Sequence, residues 1–370
     1  MTYLSAFILI FIVLILLNSI VNILFWNQLS SYEITNESLS ILIPARNEEE
    51  NIEKCLASLN TSNNLIKEII VLDDDSNDNT WKILNELRSK NSKLIIKKGS
   101  KKPENWSGKS YACYQLSKFA SSKWILFIDA DTELQDEGIE KILGYALKKK
   151  YSMVSAWPKI EMKGISEKIL MPLLNFLVFS TFPTIYSRQS KISSLGLAHG
   201  ACILFNKKIY DSLSGHNLVR NSLFEDTELA KKWRSNGEMS VCINGINIIK
   251  VRMYDSFRSI WLGFEKNSYP AFKNSAYFLI FHIFNFIFFS LPMIFIPLHI
   301  LKFTENTFMF ISGLILLLIR VIFSLKFNHP IWSSLFHFFA EFIFLLISIS
   351  SFIKYNFLGG VKWKSRKYGR

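Results

Sequence analysis

Cysteine is scarce and scattered. Cys55, Cys113, Cys202 and Cys242 are the only four in 370 residues, and no C-x-x-C pair occurs. That spacing excludes a disulfide framework and a zinc site and fits a reducing compartment. Cys55 and Cys113 fall on apolar helix faces and read as core. The Gly-x-Gly-x-x-Gly fingerprint of dinucleotide binding is missing. So is the P-loop: Gly108-Lys109-Ser110 would close one, but its first glycine would fall at position 103, which is Pro103. Residues 1–4 hold no Lys or Arg, and no Ala-x-Ala site follows the first apolar run. Both absences argue against a cleaved signal peptide and for a retained anchor.

What the chain does have is apolar sequence at both ends. Ser5 to Trp26 carries no charge and is long enough to cross a bilayer core of about 30 Å. A second apolar region, Ala276 to Tyr355, breaks near Lys302–Asn306 and Lys326–Pro330 into segments 276–301, 308–325 and 331–353. Trp332 and Tyr355 flank the last segment as interfacial aromatics do. The expected organisation is an anchor over 1–27, a soluble domain over 38–270, a membrane region over 276–355 and a basic tail over 356–370.

The net charge is +13, a value compatible with nucleic acid, anionic lipid or an anionic substrate. Basic residues cluster at Lys93–Lys102, at Lys148–Lys150 and in the tail (Lys354, Lys362, Lys364, Arg366, Lys367, Arg370). Beside a membrane segment, such a tail reads as attraction to cytoplasmic anionic headgroups, or as a solvated, disordered end. Nucleic acid is not an expected partner.

From about residue 38 to 160, short apolar runs alternate with amphipathic stretches. Leu39–Ile43, Glu68–Leu72, Leu94–Ile96 and Trp124–Ile128 read as strands. Glu49–Leu59, Asn79–Leu87 and Lys109–Phe119 read as helices, the first with Ile52, Cys55, Leu56 and Leu59 on one face. Alternation of this kind predicts an α/β fold, a mostly parallel sheet with helices on both faces. Ligands of such sheets bind at the strands' carboxyl ends. Polar clusters fall at those ends: Pro44-Ala45-Arg46-Asn47-Glu48, Asp73-Asp74-Asp75-Ser76 and Asp129-Ala130-Asp131.

Asp129 and Asp131, one small residue apart after an apolar strand, can share a hard divalent cation that neutralises a diphosphate. The plainer reading is a loop with two solvated acids. Asp73 and Asp74 are candidates to accept hydrogen bonds from a base or ribose, whereas Asp78 suits a helix N-terminus. Glu225-Asp226 opens a further helix carrying Leu229, Ala230 and Trp233. Helix-dipole stabilisation accounts for acids there; a general base for an acceptor hydroxyl is the functional reading.

These segments together resemble glycosyltransferase family 2, enzymes of the nucleotide-sugar-binding GT-A fold. The resemblance rests on Ile43-Pro44-Ala45-Arg46-Asn47-Glu48, Leu72-Asp73-Asp74-Asp75-Ser76-Asn77-Asp78, Trp106-Ser107-Gly108-Lys109-Ser110, Asp129-Ala130-Asp131 and Glu225-Asp226. Arg252-Met253-Tyr254, Trp261 to Asn267 and Val361 to Tyr368 extend it toward the carotenoid-acid (diaponeurosporenoate) and hopanoid-associated glycosyltransferases. It implies a nucleotide site lined by Pro44, Arg46, Glu48, Asp73, Asp74, Lys109 and Asp129. It also implies a divalent cation (Mg2+ or Mn2+) on Asp131 and Asp129, Asp226 as base, and an acceptor side with Glu225, Trp261 and Lys266. The implied donor is a nucleotide-diphosphate sugar, UDP-sugar favoured. The implied acceptor is a lipid or carotenoid at a bacterial cell membrane, in a multi-pass protein with a cytoplasmic catalytic domain. Asp75 stands where the family usually has glycine. The Gln-x-x-Arg-Trp pattern of processive synthases is absent around 252–266, which points to single transfer; the resemblance implies an inverting reaction.

Ile165–Tyr186 is apolar but broken by Pro172 and Pro183. A span there would put Asp131 and Asp226 on opposite sides of the membrane, so an interfacial segment is expected, with a buried core helix as the other reading. With the catalytic domain inside, three later spans would leave the basic tail outside, against the positive-inside tendency. Pro292 and Pro297 mark 276–301 as the irregular segment. Two competing functions remain. A polyprenyl-phosphate sugar transferase would need cations near Asp226, with Arg220 and Lys231 as candidates. A catalytically inactive membrane scaffold would not bind a nucleotide diphosphate.

Overall fold

The computed structural model describes residues 2–26, 29, 34, 37–60, 62–272, 274–363 and 366–368. Lys364 and Arg370, named above, lie outside the described residues. By their contacts the residues form two units. One holds residues 27–161 and 186–253, and the other holds 1–26, 162–185 and 254–370.

The first unit is built on an eight-stranded sheet. Its strands are β1 (Leu39–Ala45), β2 (Ile66–Asp73), β3 (Leu94–Lys98), β4 (Trp124–Ile128), β5 (Thr132–Leu134), β6 (Met153–Ile160), β7 (Cys202–Asn206) and β8 (Ser240–Val251). Their spatial order is β3-β2-β1-β4-β7-β6-β8-β5. The half predicted from strand–helix alternation is parallel: β1 pairs with β2 and β4, and β2 with β3. The sheet as a whole is mixed, because β7 enters antiparallel between β4 and β6.

Both faces are buried, and period-2 alternation sorts each strand's residues between them. Ile41, Ile43, Ile69, Val71, Leu126 and Ile128 face one core with Ile52, Cys55, Leu84 and Ile142. Leu42, Ile70, Leu72, Ile125 and Phe127 face the other with Cys113, Leu116, Leu229 and Trp233. Cys55 and Cys113 are thus core residues, as expected. Helices Ile52–Ala57, Thr80–Arg88 and Gly108–Phe119 each start just beyond a strand's carboxyl end, which gathers the polar clusters along one edge.

Among its described residues the second unit has four helices long and apolar enough to cross a membrane: Thr2–Phe25, Ser275–Ile300, Thr307–Phe327 and Ile331–Phe357. The second of these runs through as one helix with a widened turn just before Pro292. Phe286–Ser290 is π-helical, and the Leu291 N–H bonds Phe286 O five residues back. Pro292 has no N–H for the carbonyl four residues earlier, and its ring crowds that carbonyl, so the turn widens.

The 162–185 stretch belongs to this second unit. In its helix Pro172–Thr181, Phe176 and Phe179 are fully buried. Phe179 packs on Trp26 and Phe327, with ring centroids 4.4 and 5.3 Å away. Asn22 explains a polar residue inside the first apolar run. Its Nδ2 donates to the carbonyls of Phe179 and Phe182, both at 2.7 Å, and its Oδ1 accepts from Thr184. The side chain thereby satisfies the carbonyls that the helix end leaves open. In the tail, Val361–Trp363 pairs antiparallel with Arg366–Tyr368.

Candidate functional site

The chain turns sharply after β4. Thr132 N–H bonds back to Asp129 O at 3.0 Å, so Asp129-Ala130-Asp131 forms a tight corner into β5. Helix Gly108–Phe119 starts with Ser107 as its cap, the side chain accepting from Ser110 N. That start aims Lys109 across the sheet edge toward the corner. Lys109 Nζ lies 2.8 Å from Asp129 and 3.1 Å from Glu225.

One cleft is lined by Pro44, Lys109, Asp129, Glu225 and Asp226, together with Gly200, His216 and apolar neighbours. Five residues singled out from the sequence therefore meet in one place. Glu225, expected on the acceptor side, is the second carboxylate of the Lys109 ion pair.

Burial alone would lower the Lys109 ammonium, but Asp129 and then Glu225 hold it well above the ordinary lysine value. Burial, and then the neighbouring Glu225 carboxylate, push the Asp226 carboxyl up to about 7. Its Oδ1 accepts from Thr227 N at 2.6 Å. A half-buried carboxyl in this range can take a proton near neutral pH.

The other strand-end residues stand around the cleft. Asp73 and Asp74 are buried, and Asp73 Oδ1 accepts from Ser76 N. Arg46 donates to Asp74 O and pairs with Asp75. Glu48 N donates to Thr80 Oγ1, and the Glu48 carboxylate accepts from Asn51. Asp78 does cap the next helix region: its carboxylate accepts from Thr80 N and Oγ1 and from Glu49 N. Burial opposes those bonds, but they hold Asp78 below the usual carboxylate value. Asp131 accepts from Thr132 Oγ1 at 3.5 Å.

Trp261 and Lys266 lie in the second unit. Trp261 Nε1 donates to Glu265, which also receives Lys354 and Ser350. Lys266 O accepts from Tyr355 Oη.

Among the described residues there is no group of three His, Cys, Asp or Glu side chains placed to hold a metal ion. The donor set at the corner is Asp129 and Asp131. Two carboxylates fit a hard cation that completes its shell with water and phosphate oxygens. That Asp129 already holds an ammonium shows this corner is built to face positive charge.

Two lining residues escaped the sequence reading. A Cβ on Gly200 would lie 2.8 Å from Lys109 Nζ, 3.4 Å from Asp226 Oδ2 and 3.6 Å from Asp129 Oδ2. Glycine at this strand entrance keeps the three charged groups in reach of one another. A glycine set just before an apolar strand is the signal that could have found it. His216 follows Gly215, which opens the short 3-10 helix Gly215–Val219.

Residues 40–214 match the family described as Glycosyl transferase family 2. The 4,4'-diaponeurosporenoate glycosyltransferase of Staphylococcus haemolyticus is 31% identical over 63% of this chain and 61% of its own length. That of Staphylococcus aureus is 28% identical over the same shares, 63% and 61%. The chain thus spans about three fifths of the length of these curated relatives. Among solved structures, the mannosyltransferase PcManGT from Pyrobaculum calidifontis, in complex with GDP-Man and Mn2+, has a TM-score of 0.54 at 12% identity. It covers 95% of this chain and 98% of that one, a likeness of fold.

Proposed function

We propose, from the premise that residues 40–214 form a glycosyl transferase family 2 domain, that this protein transfers a single sugar from a nucleotide-diphosphate sugar to a hydrophobic membrane acceptor. The observation that carries the reading is the cleft itself. It sets a half-buried carboxyl poised near neutrality, Asp226, beside the Lys109–Asp129–Glu225 ion pair at the carboxyl edge of the sheet.

The acceptor oxygen attacks the anomeric carbon as the bond to the diphosphate oxygen breaks, which inverts that carbon. Asp226 takes the proton of a hydroxyl acceptor. With a carboxylic acid acceptor, already ionised at pH 7, Asp226 orients rather than deprotonates. Lys109 counters the charge on the departing nucleoside diphosphate. Asp129 and Asp131 would hold a divalent cation, Mg2+ or Mn2+, which when bound supplies further charge neutralisation at the diphosphate. Pro44, Arg46, Glu48, Asp73 and Asp74 frame the nucleotide end.

A carotenoid acid or related lipid is the acceptor class supported by the curated relatives, whose names carry diaponeurosporenoate. The four apolar helices suit such an acceptor, at a cell membrane with the catalytic unit on the cytoplasmic side. A polyprenyl-phosphate acceptor fits less well. Lys231 pairs with Glu228, and Lys109 is the one cation among the described lining residues. A scaffold role would leave the charged cleft unexplained.

The test is isothermal calorimetry of the full chain with UDP-sugars and GDP-mannose, with and without Mn2+. Donor binding strengthened by metal in the native chain and lost in Asp131→Ala is the expected result. Unchanged metal-dependent binding in that variant would remove Asp131 from the metal site.

A further inference from the structure

His216 is a buried wall residue of the cleft that the transfer reaction above does not use. The chain positions it with some effort. Ser214 and Gly215 both adopt left-handed backbone, with φ of 64° and 45°. At Gly215 a Cβ would lie 2.1 Å from the Tyr210 ring, so glycine alone permits the turn. Phe127 meets the imidazole edge-on at 4.9 Å.

The tautomer follows from hydrogen bonding. Tyr210 Oη accepts the backbone N–H of His216 at 3.1 Å. The same oxygen lies 2.6 Å from His216 Nδ1. A buried phenol that already accepts an amide needs an outlet for its own proton. Ser117 also reaches this phenol, but its hydroxyl is directed to Tyr114 O at 2.8 Å; Nδ1, at 2.6 Å, is the close acceptor, so the ring hydrogen sits on Nε2. Burial, only partly offset by Glu225, pushes the imidazole down to about 3, which keeps the ring uncharged. Nε2–H has no hydrogen-bond partner among the described residues. The cleft therefore carries one fixed, uncharged donor beside its acids.

We propose that His216 presents Nε2–H to the transferred sugar and hydrogen-bonds one of its hydroxyl oxygens beside Asp226. The inference rests on the transferase reading and adds a sugar-selecting contact to it. The placement is chemically apt. A cationic group there would compete with Lys109 for the acids. An acceptor-only group could not donate to a hydroxyl oxygen.

The experiment is nitrogen-15 NMR of the full chain in detergent micelles, labelled at its six histidines, with the His216 signals identified by their loss in His216→Gln. Titrations with UDP-glucose, GDP-mannose, UDP and GDP run beside calorimetry. The expected spectrum shows a single Nε2–H tautomer from pH 5.5 to 8. A nucleotide sugar should shift that Nε2–H, and the bare nucleotide should not. Donor binding by calorimetry without a change at Nε2, or an equal change with bare nucleotide, overturns the sugar contact alone. Absence of any nucleotide-sugar binding overturns the transferase reading and the contact with it. Kinetics supply the second arm. His216→Leu should lower kcat/KM for the donor by ~3- to 10-fold, the scale of one neutral hydrogen bond. His216→Gln, which keeps an N–H at a similar reach, should recover most of that loss. Equal loss in both variants would reduce His216 to packing.

Discussion

Asp75 holds a left-handed backbone, φ 62°, at the position where the resemblance expected glycine. The turn after β2 is therefore kept and the departure is absorbed as local strain. Its side chain is 83% exposed and its ion pair with Arg46 spans 3.6 Å, a contact that contributes little. Asp75→Gly should stabilise the fold by up to ~1 kcal/mol, because glycine enters this region without the Cβ penalty. A raised thermal midpoint in micelles is the readout, and a lowered one would show that the ion pair outweighs the strain. Asp226 gives a pH prediction. A base must be ionised, and burial plus Glu225 raise its carboxyl to about 7. Turnover with a hydroxyl acceptor should therefore fall as pH drops below about 7. In Glu225→Gln the like charge is gone, so the acid limb should move to lower pH. An unmoved limb would assign it to another group. Asp129, Asp226 and Lys109 were legible as chemistry-bearing types at strand and helix ends, and they line one cleft. That Glu225 pairs with Lys109 was not, because residues so far apart in sequence meet only through the sheet.

At the scale of elements, the strands β1 to β4 were readable because each is a short apolar run closed by polar turn residues. The antiparallel β7 was not. Cys202–Asn206 is five residues long, and its direction is set by its neighbours β4 and β6 rather than by its own pattern. The 162–185 stretch shows the same limit. Its composition suits an interface helix or a buried one, and only the contacts of Phe176 and Phe179 reveal the inward face. β6 and β7, which flank it, pair antiparallel in one sheet. A charge at Phe179 would be buried against Trp26 and Phe327 with no partner, a cost of several kcal/mol. Phe179→Asp should thus lower the thermal midpoint or the folded yield of the full chain. A normal midpoint, with only lipid-acceptor activity reduced, would instead place this face toward lipid.

For the whole molecule, the division of labour follows the composition: apolar ends gather into one unit, and the alternating middle forms the sheet that carries the cleft. The central claim is that this cleft glycosylates a membrane lipid and that Asp226 is needed for it. Mass spectrometry of total membrane lipids tests it directly, comparing cells with the intact gene, without it, and with Asp226→Asn. Loss of a positioned base slows transfer by ~100-fold or more. The account predicts a glycosylated lipid in the first strain only, with its unglycosylated precursor accumulating in the other two. Indistinguishable lipid profiles in all three strains would contradict it.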